Sequence, residues 1–385
     1  MISSRQIPLI LLLVLASFVQ AQDVPTITIK KDDKLDLSIE TFTGPEGAAV
    51  RKVLENDLAL ADSFHLTESG KAGFLVSGIA SSGDLEGKVL DRGGKVVLAA
   101  NYSGSTRSRA HQFADDIVET LTGKPGIANS RIAFVATKTG RKEIYTADYD
   151  GANVQQLTRD NAISVGPALN PEGSKLAYTG YQSGYADVYV IDLGSGKRSR
   201  IIKYPGTNTG AAFSPDGNRL AVSLSKDGNP ELYITNISGG SARRLTRTRG
   251  AESSPSWAPN GQEIVYSAEQ NGGPQLYRIS SGGGSGQRIA TGYGYCTEPN
   301  WSPDGKKIAF NVRSGGFQVA VYDLANGGTR IVSSGGNFED PIWGPDSRHI
   351  LCAGGGALYL LDTETGRKVK VLDGLGTISE PTWSR

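Results

Sequence analysis

Histidine, cysteine and carboxylate side chains are the groups in this chain with the chemistry to catalyse or to ligate. The three histidines, His65, His111 and His349, are far apart. Only His111 has an acidic neighbour at a useful spacing. Asp115 lies one helical turn further on, which predicts a helix-surface hydrogen bond, with a metal or acid–base pair as the alternative. No Gly-x-Ser-x-Gly occurs, so a nucleophile elbow is absent. The glycine-rich Ser281–Gly286 stretch lacks the Lys and Ser/Thr that would follow in a phosphate-binding loop, and reads as an outer turn. Cys352 reads as a buried free thiol, with a bridge to Cys296 as the alternative. No catalytic residue and no metal ligand is assigned.

The residues that could bind something fall in a different pattern. Short polar segments recur through the second part of the chain: Ser164-Val165-Gly166, Asn208-Thr209-Gly210, Glu252-Ser253-Ser254, Cys296-Thr297-Glu298, Phe338-Glu339-Asp340 and Ile378-Ser379-Glu380. Each precedes a Trp, Phe or Leu and a tight turn. The clearest copy is Trp301-Ser302-Pro303-Asp304-Gly305, where proline pre-sets φ and glycine supplies positive φ. The turn prolines 171, 215, 259 and 303 are 44 residues apart, and Pro345 is 42 further on. All four tryptophans occupy the same slot of the repeat. A period of 40–50 residues marks a propeller or a solenoid.

Six third-strand segments, from Glu143-Ile144-Tyr145 to Ala357-Leu358-Tyr359, fix the number of units at six. The first unit lacks an innermost strand, and Glu380–Trp383 at the chain end supplies it, closing a ring without open edges. The fold class is therefore mainly β, a six-bladed β-propeller over residues 126–385, preceded by a small N-terminal α/β domain over residues 22–125. In such a ring the polar segments would connect into the innermost strands on one face around the axial channel. They would form a binding surface for a cationic peptide, a protein loop or a cation, and a calcium ion in the channel is compatible with the carboxylates Glu252, Glu298, Glu339 and Glu380. Asp148, Asp192, Asp323 and Asp362 end third strands before glycine-containing turns and read as turn residues.

Ahead of the ring, Leu35, Leu37, Ile39 and Phe42 alternate as in a strand, and Val50, Val53, Leu54, Leu58 and Ala61 recur at helical spacing. Strands are expected over 73–80, 85–91 and 95–101, and a second helix over 105–121, stopped by Gly123. Val24, Ile27 and Ile29 suggest one more short strand. Residues 1–21 read as an export signal: Arg5, an apolar run from Ile7 to Phe18, and a small residue at the cleavage point after Ala21. The run is shorter than the roughly 20 residues of a membrane span. A formal net charge of +1 leaves no nucleic-acid footprint. A monomeric periplasmic protein is expected.

Beyond the blade motif, the helix Arg109-Ala110-His111-Gln112-Phe113-Ala114-Asp115-Asp116 leads through Leu121-Thr122-Gly123 to Arg131-Ile132-Ala133-Phe134-Val135, followed by Asp148-Tyr149-Asp150-Gly151-Ala152-Asn153. With Ser223–Gly228, this junction resembles the TolB family, periplasmic components of the Tol–Pal envelope system. The resemblance implies a non-enzymatic scaffold without a cofactor. Its channel face would bind the peptidoglycan-associated lipoprotein Pal, and its mature N-terminal segment TolA. Contacts with other outer-membrane proteins, roles in outer-membrane integrity and in envelope constriction at cell division, and use in protein import would follow. Carried onto this sequence, the Pal face is Thr207, Asn208, Gly210, Ser253 and Thr297, on the rim already described, where the family often has a histidine at the position of Thr207. The TolA segment is Gln22 to Lys31, with Asp23, Val24, Ile27 and Ile29, ordering by strand addition. The alternative is a periplasmic propeller enzyme or ligand binder that uses the channel carboxylates.

Overall fold

The computed structural model describes residues 34–270 and 272–384. The export signal, its cleavage point and the segment holding Asp23, Val24, Ile27 and Ile29 lie outside the described residues.

The first strand, β1 (Leu35–Ile39), buries Leu37, Ser38 and Ile39 and pairs in parallel with β2 (Phe64–Leu66) and β3 (Phe74–Ala80). Antiparallel β4 (Asp84–Asp91) and β5 (Val96–Ser103) complete a five-stranded sheet in the order β2-β1-β3-β4-β5. Helix α1 (Gly47–Leu60) joins β1 to β2, and α2 (Thr106–Thr122) follows β5. Ser105 caps α2, its Oγ accepting from the Ser108 amide at 3.2 Å, and Gly123 ends it in the left-handed region at φ 69°. The apolar stripe of each helix, Val50, Leu54 and Leu58 on one and Ala110, Phe113 and Ile117 on the other, is buried. The strand β2, unforeseen because it is only three residues long, carries His65 on its exposed side.

The remaining strands form six four-stranded antiparallel sheets. Blade 1 takes its innermost strand, Ile378–Trp383, from the chain end, paired with Arg131–Ala136 so that Trp383 lies opposite Ile132. Innermost strands of blades 2 to 6 are Ser164–Leu169, Asn208–Phe213, Glu252–Trp257, Cys296–Trp301 and Glu339–Trp343. Two of the tryptophans stitch neighbouring blades. Trp257 Nε1 donates to the Ala212 carbonyl of blade 3 at 3.1 Å, and Trp343 Nε1 to the Asn300 carbonyl of blade 5 at 3.1 Å. In the Ser-Pro-Asp-Gly turn, Ser302 Oγ bonds Asp304 at 2.6 Å and accepts from the Lys307 amide at 2.9 Å, with Gly305 at φ 74°. Both cysteines are buried free thiols, which excludes the bridge, and Cys296 begins a strand instead of lying in a connection.

The N-terminal domain meets the propeller where third strands of blades 1 and 6 end. Its core is continuous with theirs through Leu58, Leu60, Tyr149 and Leu360. His111 is buried in this joint, and its Nδ1 pairs with Asp57 at 2.7 Å. The expected surface bond to Asp115 does not form, because Asp115 instead accepts the amides of Ala128 at 2.7 Å and Asn129 at 2.9 Å in the linker. Tyr149 donates to Asp57 at 2.9 Å, and Arg107 reaches Asp148 at 2.8 Å and Asp150 at 2.7 Å. On blade 6, Arg348 pairs with Asp362 at 2.5 Å and reaches Ser63 at 3.0 Å, while Arg367 pairs with Asp62 at 2.9 Å. Asp192 and Asp323 do serve their turns, accepting the amides of Ser195 at 2.8 Å and Ala325 at 2.9 Å. Asp148 and Asp362 also hold the domains together, which corrects their reading as turn residues alone.

Candidate binding face at the channel mouth

The polar segments do not merely precede the innermost strands but form their first halves. Every one of these strands shifts register against its neighbour between the polar half and the apolar half. The residue at the bulge is left-handed in all six blades: Gly166 (φ 59°), Gly210 (63°), Ser254 (51°), Glu298 (52°), Asp340 (56°) and Glu380 (52°). Glycine adopts this conformation freely, whereas each of the four other residues is strained. A proline follows at five of the six positions, alanine at the sixth, and it lines the axial cavity, of about 360 Å³. The cavity runs from these residues to the turn prolines at the other end.

The strain is offset on one side of the ring by hydrogen bonds between blades. Glu298 Oε2 accepts from the Asp340 amide at 3.3 Å, Asp340 Oδ2 from the Glu380 amide at 2.8 Å, and Glu380 Oε2 from the Gly166 amide at 2.7 Å. Asn311 also donates to Glu298, and Lys142 pairs with Glu380 at 3.3 Å. Burial, and then the neighbouring Asp340 charge, push Glu298 up to about 9, and burial raises Asp340. Three successive blades thus present crowded, partly dehydrated carboxyls, and the opposite three present Gly166, Gly210 and Ser254. The mouth has two unlike sides.

The sequence-derived residues divide accordingly. Thr207, Ser253 and Glu339 are exposed on the mouth face, and Gly210, Thr297, Glu298 and Glu380 are half-buried there. Asn208 and Glu252 are fully buried. Asn208 Nδ2 donates to the carbonyls of Ala186 at 2.8 Å and Tyr204 at 2.9 Å, closing a junction between blades 2 and 3. Glu252 faces Glu231, which is held by Arg244 at 2.8 Å, and Thr248 donates to Glu252. Burial and then Glu231 push Glu252 up to about 7. Among the described residues, no group of three or more His, Cys, Asp or Glu side chains is arranged to hold a metal ion. Glu298, Asp340 and Glu380 each accept a backbone amide, and Glu252 accepts from the Thr248 hydroxyl. His65, His111 and His349 lie in β2, the domain joint and the start of a blade 6 strand, so no histidine joins the mouth carboxylates.

Sequence reasoning missed the domain joint. One signal was present: Asp57 sits three residues after Leu54 and four after Val53, on the apolar stripe of α1. The Glu231–Glu252 pair is 21 residues apart and carried no local mark.

Fold and mouth together define the class: a closed six-bladed propeller with a polar channel mouth. The signature of the TolB beta propeller domain matches residues 118–385. The chain belongs to that family. It is 42% identical over 116 residues to the TolB homolog of Chlorobium chlorochromatii, covering 28% of this chain and 26% of that protein. It is also 42% identical over 106 residues to the Tol-Pal system protein TolB of Geobacter metallireducens, covering 27% and 24%. These alignments span about a quarter of the relatives' length. The fold is that of TolB from Acinetobacter baumannii, with a TM-score of 0.82 at 24% identity, over 92% of this chain and 97% of that one. No helix among the described residues is long and apolar enough to cross a membrane.

Proposed function

We propose that this protein is a non-enzymatic periplasmic scaffold of a Tol–Pal system. Its channel mouth binds the peptidoglycan-associated lipoprotein Pal, its mature N-terminal segment binds TolA, and the pairing supports outer-membrane integrity and envelope constriction at division. The observation that carries the reading is the mouth itself: six equivalent left-handed residues, exposed polar neighbours, and a domain joint that lies entirely at the other end of the strands. The described residues of the N-terminal domain thus leave the mouth open to a partner. Thr207, Gly210, Ser253, Thr297, Glu298, Glu339 and Glu380 supply the contact surface, and Asn208 and Glu252 hold its loops in place.

The test is a pull-down with the periplasmic domain of Pal from the same source, in buffer with and without calcium. Stoichiometric capture supports the reading. No capture in either buffer overturns it.

A further inference from the structure

Among the described residues eight large apolar side chains are exposed, and three of them meet on the mouth face of blade 2: Tyr185 (71% exposed), Ile163 (47%) and Tyr181 (38%). Scattered exposed apolar residues are ordinary, but adjacent ones mark interaction sites. The Tyr181 amide donates to the Ile163 carbonyl at 2.9 Å, and Ser183 Oγ donates to the Tyr185 carbonyl at 3.3 Å, so the turn carrying both tyrosines is fixed against the loop carrying Ile163.

The unpaired charges around this knuckle have one sign, the carboxylates Asp160 and Asp187 being held by Arg198 and Arg200. Arg141 donates to the Asn161 carbonyl two residues from Ile163, and the Lys142 carbonyl accepts the Ser164 amide at 2.9 Å. Asn208, bridging the Ala186 and Tyr204 carbonyls, brings the chain at Lys203 beside Tyr185. Arg141, Arg159 and Lys203 are exposed and make no ion pair among the described residues. The nearby carboxylate Asp160 is taken up by Arg198. The knuckle runs into the mouth through Lys142, which pairs with Glu380.

We infer that Ile163, Tyr181 and Tyr185, flanked by Arg141, Arg159 and Lys203, anchor the protein partner that docks on the channel mouth, and that this partner presents an apolar pocket rimmed by carboxylates. The inference rests on the scaffold reading above and adds the partner's chemistry and orientation. Aromatic side chains beside arginine are the commonest energetic centres of interfaces, and a one-sign surround speeds encounter with an oppositely charged surface. The opposite side of the mouth, at Glu298 and Asp340, presents buried carboxyls in place of apolar groups and cations, so the two sides offer a partner unlike surfaces.

Calorimetric titration of the full protein with the Pal periplasmic domain decides it. The double variant Ile163→Ala/Tyr185→Ala is expected to bind about 30-fold more weakly or worse, with its melting temperature unchanged. The pair Arg159→Glu/Lys203→Glu should slow association and flatten its salt dependence. Ile331→Ala, an exposed apolar site on blade 5, should change nothing. If the unaltered protein binds and the double variant binds as tightly, the knuckle is not the anchor and the scaffold reading stands. If the unaltered protein does not bind, both fall.

Discussion

His111 shows how burial changes the meaning of a side chain. Burial alone would lower its pKa, but the carboxylates of Asp148, 3.7 Å from Nε2, and of Asp57, hydrogen-bonded to Nδ1 at 2.7 Å, outweigh that and raise it to about 9. A group raised in the folded state stabilises it fully below its unfolded pKa of about 6.5, and the contribution is lost as pH rises through the folded value. Thermal unfolding should therefore show stability falling between about pH 6.5 and 9, and His111→Gln should be less stable at pH 6 and show a shallower slope, with the Glu298 contribution remaining. Glu252 has the opposite consequence. Its folded pKa of about 7 exceeds the 4.5 of an unfolded Glu, so the folded state holds a proton that the unfolded chain releases, and stability declines from pH 4.5 to 7. Glu252→Gln keeps the buried hydrogen-bonding shape without the charge. It should be more stable than the unaltered protein at pH 8, and chemical denaturation at pH 5 and pH 8 measures the difference.

At the scale of elements, the ring depends on one shared strand. Trp383 is 5% exposed, donates from Nε1 to Ser130 Oγ at 2.7 Å and belongs to the core that joins the first and last blades to the N-terminal domain. Trp383→Ala should cost about 3–5 kcal/mol in a denaturant titration, whereas an exposed substitution such as Val154→Ala should fall within about 0.5 kcal/mol. Closure was legible in the sequence because it is written as periodicity: 44-residue spacing, a tryptophan slot and a first unit without an inner strand. The helices were legible for the same reason, with Ser105 and Gly123 as local start and stop signals for the second. The bulge was not, because Gly166, Ser254 and Glu298 share no residue type and are equivalent only in backbone angle. The domain joint was equally hidden. Arg348 and Asp62 are 286 residues apart, and nothing local distinguishes either from a surface charge.

The described residues form a closed wheel with the N-terminal sheet and helices at one end and, at the other, a mouth that no described residue of that sheet or those helices covers. Around that mouth blades 5, 6 and 1 carry carboxyls, and blade 2 carries an apolar knuckle among cations. Such polarity would fix how a partner sits on the proposed binding face. Rim segments were readable from the repeat, whereas Ile163, Tyr181 and Tyr185 come from two loops with no shared pattern. Hydrogen exchange of the full protein, alone and saturated with the Pal periplasmic domain, tests this most directly. Slowed exchange should appear in the innermost-strand starts around Gly210, Ser253 and Thr297 and in the 181–186 turn, with none in the Ser-Pro-Asp-Gly turns at the far end. Slowing confined to those turns, or no slowing anywhere in the ring, would contradict binding at the mouth.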